Sequence, residues 1–220
     1  MRLHLKTTAN TEVVSFEYQR KLVGVLHKWL GDSNKEHGII SLYSFSWLQN
    51  GEKKKNGLNF QYGARWFISF YDEINIKLIM KSILDNPIMF DGMVVTDITI
   101  ENTPDLTNRK LFYLASPILI KRPIDNTEKH YSFLDSEANA LMKDTLLHKM
   151  KEAGLEEDQS FDIQFDLTYA KKKQKLVTYR DIGNMANFCP IIMEGKPDTK
   201  AFAWNVGIGN STGIGFGAIY

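Results

Sequence analysis

The segment from Gly207 to Gly217, close to the C-terminus, holds five of the 15 glycines of this 220-residue chain. The five are Gly207, Gly209, Gly213, Gly215 and Gly217. Glycine is used where the backbone needs a positive φ or where another backbone comes close. A loop of this kind can turn backbone N–H groups outward, and such arrays bind anions, phosphates in particular. The sequence therefore predicts either an anion cradle or a glycine-rich turn between the last two elements.

Two well-known phosphate loops do not fit this segment. A P-loop requires Gly-Lys-Ser/Thr at the start of a helix, and the chain contains no such tripeptide. A dinucleotide fingerprint must follow a strand and open a helix inside a βαβ unit. Only a short terminal strand fits after Gly217, so we expect no nucleotide cofactor here, nor any other cofactor.

The composition is that of a globular protein, since 43% of the residues are hydrophobic and 24% are charged. No apolar run approaches the ~20 residues of a membrane span, and positions 1–6 lack the apolar core of a signal peptide. The single cysteine, Cys189, excludes an internal disulfide and fits a reducing cytoplasm. The net charge of +1 requires that any attraction for phosphate come from local patches. We therefore expect a soluble cytoplasmic protein without a membrane partner.

The first half of the chain is predicted to run β-α-β-β-α-β. Strands are expected at 2–8, 40–48, 58–71 and 95–101, and helices at 16–30 and about 76–84. Gly31 and the pair Asn86-Pro87 are the predicted helix stops. Aromatic and aliphatic residues alternate along 58–71, which predicts a strand buried on one face.

A polar, turn-rich break at 102–105 predicts a boundary between domains 1–104 and 105–220. Strands are then expected at 110–121, 161–170, 176–182 and 188–193, and helices at 135–153 and 198–206. The glycine segment and a final strand complete the chain. Because this order mimics the first half, the sequence predicts an α+β fold of two tandem ferredoxin-like (RRM-like) domains, with antiparallel sheets and helices on one face.

Two basic runs lie in predicted turns of opposite halves. They are Lys53, Lys54 and Lys55, and Lys171, Lys172, Lys173 and Lys175. Short charge runs often do no more than keep hairpin tips soluble. Two positively charged hairpin tips are also what the phosphates of an RNA hairpin require, and we favour RNA contact.

Five histidines are present, and none has the spacing of a zinc site, so we expect no metal. On the helix at 16–30, His27 shares one stripe with Arg20, Gly24 and Gly31, opposite the apolar side. That stripe is either an approach for a ligand or an ordinary solvated helix face. His37 lies in the polar connection that Gly31 turns back beside the helix. Two imidazoles facing one phosphate suit RNA cleavage, because histidine can remove or supply a proton near neutral pH.

The segment 207–217 has the pattern Gly-hydrophobic-Gly, five residues, then Gly-hydrophobic-Gly. This pattern resembles the signature of the RAMP superfamily of RNA-binding proteins in CRISPR systems. Within it, the chain is similar to the Cas6 endoribonucleases, which cut precursor CRISPR RNA within each repeat. His37 followed by Leu-Tyr-Ser-Phe-Ser at 42–46, and Ser-Pro-Ile at 116–118, resemble further motifs of that family. The resemblance implies the tandem ferredoxin-like architecture, and it spans most of the chain.

By this resemblance, the protein is a metal-independent endoribonuclease. The 2′-hydroxyl attacks its own phosphate and leaves a 2′,3′-cyclic phosphate and a 5′-hydroxyl. His37 aligns with the usual catalytic histidine of the family, and His27 aligns with a position that carries tyrosine or histidine. Several members have a lysine where this chain has Ser41. Either Arg20, Lys28 or the turn at 53–55 supplies that charge, or cleavage is slow.

The RNA-binding residues expected from these arguments are Arg20, Lys28, the seven lysines of the two basic runs and the five glycines of the segment. The expected partner is CRISPR repeat RNA in the precursor transcript. Other CRISPR effector subunits and a second copy of the chain are further candidate partners. Two alternatives stay open: a non-cleaving RNA-binding RAMP subunit of an effector complex, and a tandem RRM module. The RRM alternative requires an aromatic-rich RNP sequence, which we do not find in the chain.

Overall fold

The computed structural model describes residues 1–31, 40–125 and 127–220. Elements of the first half are β1 (Arg2–Thr7), α1 (Gln19–Leu30), β2 (Tyr43–Phe45), β3 (Glu52–Lys54), β4 (Gly57–Asn59), β5 (Arg65–Phe70), α2 (Glu73–Asp85) and β6 (Val95–Glu101). β2, β5, β1 and β6 form one antiparallel sheet in that order, and β3 pairs with β4 as an inserted hairpin. This strand order is that of a ferredoxin-like fold.

The second half repeats the arrangement with two inserted hairpins. Its elements are β7 (Leu111–Phe112), β8 (Lys121–Ile124), β9 (Thr127–His130), α3 (Ala138–Glu152), β10 (Asp162–Phe165), β11 (Lys173–Tyr179), β12 (Ile182–Phe188), β13 (Ile191–Glu194) and α4 (Pro197–Val206). β10, β13 and β7 form a sheet, and an antiparallel bridge from Leu114 to Ile219 adds the last segment beside β7. The predicted tandem ferredoxin-like fold is confirmed, while the boundary at 104/105 stays a prediction.

Helix α1 is held by its apolar side and closed by a glycine. Leu22, Leu26 and Trp29 recur at helical spacing and are fully buried. Gly31 follows with a φ of 81°, and its N–H donates to His27 O at 3.0 Å. The helix begins at Gln19, three residues later than expected, and ends where the glycine predicted.

The segment 58–71 is two strands rather than one. Between β4 and β5 the chain turns at Gly63, which has a φ of 79° and donates its N–H to Phe60 O at 2.9 Å. A Cβ at Gly63 would overlap Thr7 O, so the turn requires glycine. β5 is also buried on both faces, since Phe67 and Ser69 are as inaccessible as Trp66. The expectation of a half-buried strand is therefore wrong.

Both faces of β5 are buried because the second half covers the outer face of the first sheet. Arg2, 2% exposed, donates from Nε to Ser69 Oγ at 2.6 Å. Its Nη2 donates to Trp204 O at 3.0 Å and Ile219 O at 2.9 Å, in α4 and the last segment. The guanidinium also lies 3.8 Å from the Phe67 ring centroid and 3.5 Å from that of Trp204. One buried cation thus joins the two halves.

The basic runs are mostly strand rather than turn. Lys53 and Lys54 lie on β3, and Lys173 and Lys175 lie on β11. The tip of the β11–β12 hairpin is Arg180-Asp181, where both residues have positive φ, 48° and 65°. The prediction that 171–175 forms the turn is wrong, because this reversal in the left-handed region fixes the hairpin eight residues later than the lysine run suggests.

Candidate functional site

The glycine segment, residues 207–217, is folded against the protein. Gly207 closes α4 with its N–H on Ala203 O at 2.9 Å, and a 3₁₀ turn, Thr212–Ile214, lies in the middle of the segment. The N–H of Ile208 donates to Gly217 O at 2.9 Å, and that of Gly217 donates to Pro117 O at 2.8 Å. These N–H groups point inward, so the expectation of an outward-facing array does not hold for them.

The glycines are required by close approach within the chain. A Cβ on Gly217 would overlap Ile208 O, and one on Gly213 would overlap Ser41 Oγ. A Cβ on Gly209 would lie 2.5 Å from Leu119 O. Four members, at 207, 209, 215 and 217, also have φ between 69° and 94°. These constraints explain the glycines by packing, and their predicted contact with RNA stays a prediction.

The glycine segment ties the second half to β2 and α1. Tyr43 Oη donates to Gly213 O at 3.2 Å, and Trp47 Nε1 donates to Gly215 O at 2.8 Å. Helix α1 contacts the 3₁₀ turn directly. Side chains of the first half are therefore held beside the segment, because they donate hydrogen bonds to its carbonyl groups.

His27 is half-buried near the end of α1, the helix that meets the glycine segment. No described atom lies within 4 Å of where a Cβ would stand on Gly24 or Gly31, and Arg20 is exposed. Lys28 is directed elsewhere, because its Nζ donates to Ile88 O. Partial burial lowers the pKa of Lys28.

His37 lies outside the described residues, so its predicted place beside His27 stays a prediction. Ser41 lies among the described residues and is half-buried beside Gly213.

Lysines and aromatic rings from both halves form a continuous surface, which we call the basic-aromatic strip. Its members are Phe16, Lys53, Trp47, Lys175, Phe188 and Lys173. The centroids of Trp47 and Phe188 lie 5.4 Å apart in an edge-to-face pair. Lys175 Nζ lies 5.0 Å from the Trp47 centroid, and Lys173 Nζ lies 5.9 Å from that of Phe188. The two basic runs predicted separately thus converge here.

Positive charge on the strip is not neutralised by nearby acids. Among the described residues, no carboxylate forms an ion pair with Lys53, Lys173 or Lys175, whereas Lys54 pairs with Glu52 at 3.0 Å. Partial burial, followed by the charges of Lys173 and Lys53, lowers the pKa of Lys175. A cavity of about 550 Å³ opens along the strip between Phe16, Trp47, Lys53 and Lys175. The arrangement attracts an anionic chain and offers ring faces beside it.

The remaining predicted lysines lie around the strip. Lys55 is exposed at the β3–β4 turn. Lys171 is exposed and lines a smaller cavity of about 260 Å³ with Lys173, Tyr169 and Tyr220. Lys172 is half-buried, and its Nζ donates to Tyr169 O at 3.4 Å.

Sequence reasoning missed Lys149, which lies beneath the glycine segment on α3. Its Nζ is fully buried and donates to Thr212 Oγ1 at 2.9 Å and to Val206 O at 3.3 Å. Burial lowers its pKa to about 7. The signal was present in the spacing, because Lys149 follows Met142 and Leu146 on the buried side of α3.

Two further findings concern the described ranges 1–31, 40–125 and 127–220. No three His, Cys, Asp or Glu side chains there are grouped so that they could hold a metal ion. None of the helices in these ranges is long and apolar enough to cross a membrane.

Residues 101–220 match the family model described as CRISPR associated protein Cas6, C-terminal. The match extends over more than half of the chain. The chain belongs to the Cas6 family. The matched region contains the glycine segment and the β11–β12 hairpin, and the Cas6 assignment therefore rests on the half that does not carry His27. Among curated proteins, no sequence matches the chain.

Solved structures similar to this Cas6-family chain cover its whole length. A CRISPR associated protein Cas6 has a TM-score of 0.85 and 19% identity, over 100% of this chain and 98% of that one. A Cas6-related protein from Pyrococcus furiosus has a TM-score of 0.86 and 20% identity, over 100% and 97%. A RAMP protein described as binding different RNA substrates has a TM-score of 0.85 and 18% identity, over 100% and 98%. At these identities the likeness shows a shared fold.

Proposed function

We propose that this Cas6-family protein is a metal-independent endoribonuclease that cleaves CRISPR repeat RNA in the precursor transcript. The observation that carries the proposal is the basic-aromatic strip, which is tied through Trp47 to the glycine segment, against which the helix of His27 packs. The solved RAMP protein of the same fold that binds RNA substrates supports RNA as the ligand.

The strip is suited to a ribonucleotide chain. Lys53, Lys173 and Lys175 are available to neutralise phosphates, and each contact releases counterions from the RNA. The rings of Phe16 and Trp47 border the same cavity, where unpaired bases can stack on them. Phosphate contacts and base stacking would thus act together along one surface.

Cleavage requires one proton acceptor and one proton donor. In the proposed step, the 2′-oxygen forms a bond to phosphorus as a base removes its proton. The bond from phosphorus to the 5′-oxygen then breaks, and an acid protonates that oxygen. His27, on the polar stripe of α1, is proposed for one of these roles, and His37 is proposed for the other.

A cleavage assay in EDTA with the cognate repeat RNA tests this proposal. We expect cleavage to survive the chelator and to be blocked by a 2′-deoxy group at the scissile position. His27→Gln and His37→Gln are each expected to slow cleavage about 10²–10⁴-fold. His4→Gln is the matched control, since His4 Nε2 is bonded to Glu101 Oε2 at 2.6 Å in the first sheet. Cleavage that stops in EDTA, or that proceeds at the wild-type rate in both histidine variants, would contradict the mechanism.

A non-cleaving RNA-binding subunit is the second candidate function. The strip suits this function as well, because an RNA-binding surface made of lysines and aromatic rings needs no imidazole. Tight binding of repeat RNA with no product on a denaturing gel would select this function over the nuclease. Other CRISPR effector subunits and a second copy of the chain remain proposed partners of the protein.

A further inference from the structure

The β8–β9 and β11–β12 hairpins meet at one histidine. His130 is the last residue of β9, and its Nδ1 accepts the N–H of Met185, on β12, at 3.2 Å. The same edge of β12 is bonded at Asn187, whose N–H donates to Ile118 O at 2.8 Å and whose O accepts from Ile118 N at 2.9 Å. Backbone pairing thus holds one position of this edge, while an imidazole holds the position two residues earlier.

The bond to Met185 fixes the protonation state of His130. A ring nitrogen that accepts a hydrogen bond carries no proton, so the neutral ring has its proton on Nε2. Nε2 is buried, and no group among the described residues is bonded to it. A second proton would go onto Nδ1 and would face the Met185 N–H, donor against donor. Protonation therefore removes the bond to β12 and charges a partly buried ring.

The charges around His130 largely cancel. Glu128 and Lys121 are the charged groups that act on the ring, and Lys121 Nζ is bonded to Glu128 Oε2 at 2.9 Å. Lys129 Nζ lies 3.6 Å from Glu137 Oε2, and β12 carries no charged residue. Partial burial lowers the pKa of His130 below its ordinary value, while the charge of Glu128 raises it and that of Lys121 lowers it.

We propose that His130 is a pH-sensitive joint between the two hairpins. The neutral ring holds β12 through Met185, and the protonated ring releases that strand. β12 pairs along its length with β11, which carries Lys173 and Lys175 of the basic-aromatic strip. Acid should therefore loosen the support of these two lysines. The consequence for RNA binding rests on the proposed function, whereas the joint itself does not.

The joint should act below the ordinary pKa of histidine, about 6.5. Because folding lowers the pKa of His130, its contribution to stability is complete above that value and is lost as the pH falls from it towards the folded-state pKa. RNA binding would otherwise change in the opposite direction, since protonation of other histidines makes the protein more positive in acid. Loss of RNA affinity in acid is thus the distinguishing sign of the joint.

Two measurements on the wild type test the joint directly. At about pH 7.5, the nitrogen resonances of the His130 ring should show a proton on Nε2 and none on Nδ1. Protection of the Met185 amide from hydrogen exchange, corrected for the intrinsic rate, should fall by up to about tenfold per pH unit below about pH 6.5. The Asn187 amide, bonded to Ile118 O on the same strand edge, is the control and should lose less. A proton on Nδ1 at neutral pH, or Met185 protection that does not change with pH, would overturn the proposal.

His130→Asn separates the titration from the hydrogen bond. The amide oxygen of asparagine can accept near the position of Nδ1 and does not titrate, so Met185 should stay protected in acid. His130→Ala removes the acceptor, and Met185 should be poorly protected at every pH. Protection that falls with pH equally in His130→Asn and in the wild type would show that another group titrates and would overturn the proposal.

Binding of repeat RNA between about pH 7.5 and about pH 5.5 tests the consequence for the strip. Relative to His130→Asn, the wild type should lose about tenfold in affinity over this range. His148→Asn, which removes an exposed histidine on α3, should lose affinity as the wild type does. The same pH dependence in the wild type and in His130→Asn would overturn the link between the joint and the strip. A protein that binds no repeat RNA at any pH would contradict the proposed function, while the resonances and the exchange data would still decide the joint.

Discussion

The glycine segment and the lysines of the basic-aromatic strip were both predicted to contact RNA, and the two regions are built in opposite ways. Several N–H groups and carbonyls of the segment bond to other parts of the protein, and its glycines allow close contact with β2 and Leu119. The strip keeps three lysines and several ring edges at the surface. The comparison shows that the glycines of the segment are explained by internal packing, whereas the lysines of the strip stay at the surface.

Gly217→Ala should have the largest effect, on stability. The residue has a φ of 69°, and the added Cβ would overlap Ile208 O, so we expect the free energy of unfolding to fall by roughly 3 kcal/mol or more. Denaturant unfolding measures this change.

Gly24→Ala is the matched control for that substitution. The residue lies inside α1 and its Cβ would meet open space. Alanine should therefore raise the free energy of unfolding by roughly 0.5–1 kcal/mol. Equal effects of the two substitutions would contradict the packing account of the glycine segment.

Lys149 should have the second largest effect, on the way the free energy of unfolding depends on pH. Burial lowers its pKa from 10.5 to about 7 in the folded state. Between pH 7 and 10.5 the unfolded state binds the extra proton, so this lysine makes wild-type stability rise with pH across that window, by at most about 1.4 kcal/mol per pH unit. Below pH 7 the cost of the buried charge is fully present.

Unfolding of the wild type and Lys149→Met at pH 6.5 and pH 9 measures this contribution. The free energy of unfolding of the wild type, relative to that of Lys149→Met, should rise as the pH rises. A difference that does not depend on pH would contradict the buried, titrating ammonium beneath the segment.

Replacement of the strip lysines should change RNA binding rather than stability. When Lys53, Lys173 and Lys175 are changed together to Gln, affinity should depend less steeply on salt. The slope of log affinity against log salt concentration should become smaller in magnitude by about 2, since each single-strand phosphate contact contributes about 0.7. Binding titrations at several salt concentrations measure the slope. Lys77, Lys81 and Lys151 changed to Gln carry the same net charge change on exposed helix positions. A similar loss of slope in this control would mean that RNA senses net charge and not the strip.

Trp47 lies in the strip and donates a hydrogen bond to the glycine segment, so its substitution tests both regions. Trp47→Phe keeps a ring for stacking but loses the 2.8 Å bond to Gly215 O, so stability should fall by about 1 kcal/mol with RNA affinity retained. Trp47→Leu should also weaken RNA binding, by about 1–3 kcal/mol if a base stacks on the ring. Equal RNA affinity of the Phe and Leu variants would remove Trp47 from the binding surface.

Local signals predicted much of the fold. Gly31 after α1 and Asn86 after α2 end their helices as expected. The second buried face of β5 was not predictable from alternation, because it depends on Arg2 and Trp204 packing across the halves. The convergence of Lys53 with Lys175 is likewise a product of tertiary folding.

The site was predictable only in part for the same reason. Helical spacing placed His27 correctly on its stripe, since that depends on α1 alone. The predicted position of the hairpin turn was wrong because Arg180 and Asp181, which are not glycines, adopt positive φ. Composition does not signal a turn at such residues. A cavity between α3 and the glycine segment likewise brings together Arg122, His148 and Asn210 from separate stretches of the chain.

Single-turnover cleavage of repeat RNA in EDTA, measured with the protein in increasing excess, tests the account most directly. We predict that His27→Gln binds RNA like the wild type but cuts far more slowly at saturation. The variant with the three strip lysines replaced should need more protein to saturate and then cut at the wild-type rate. Loss of binding in His27→Gln, or a slow saturated rate with unchanged affinity in the lysine variant, would contradict the account. In that account the strip lysines bind RNA and the histidines cleave it.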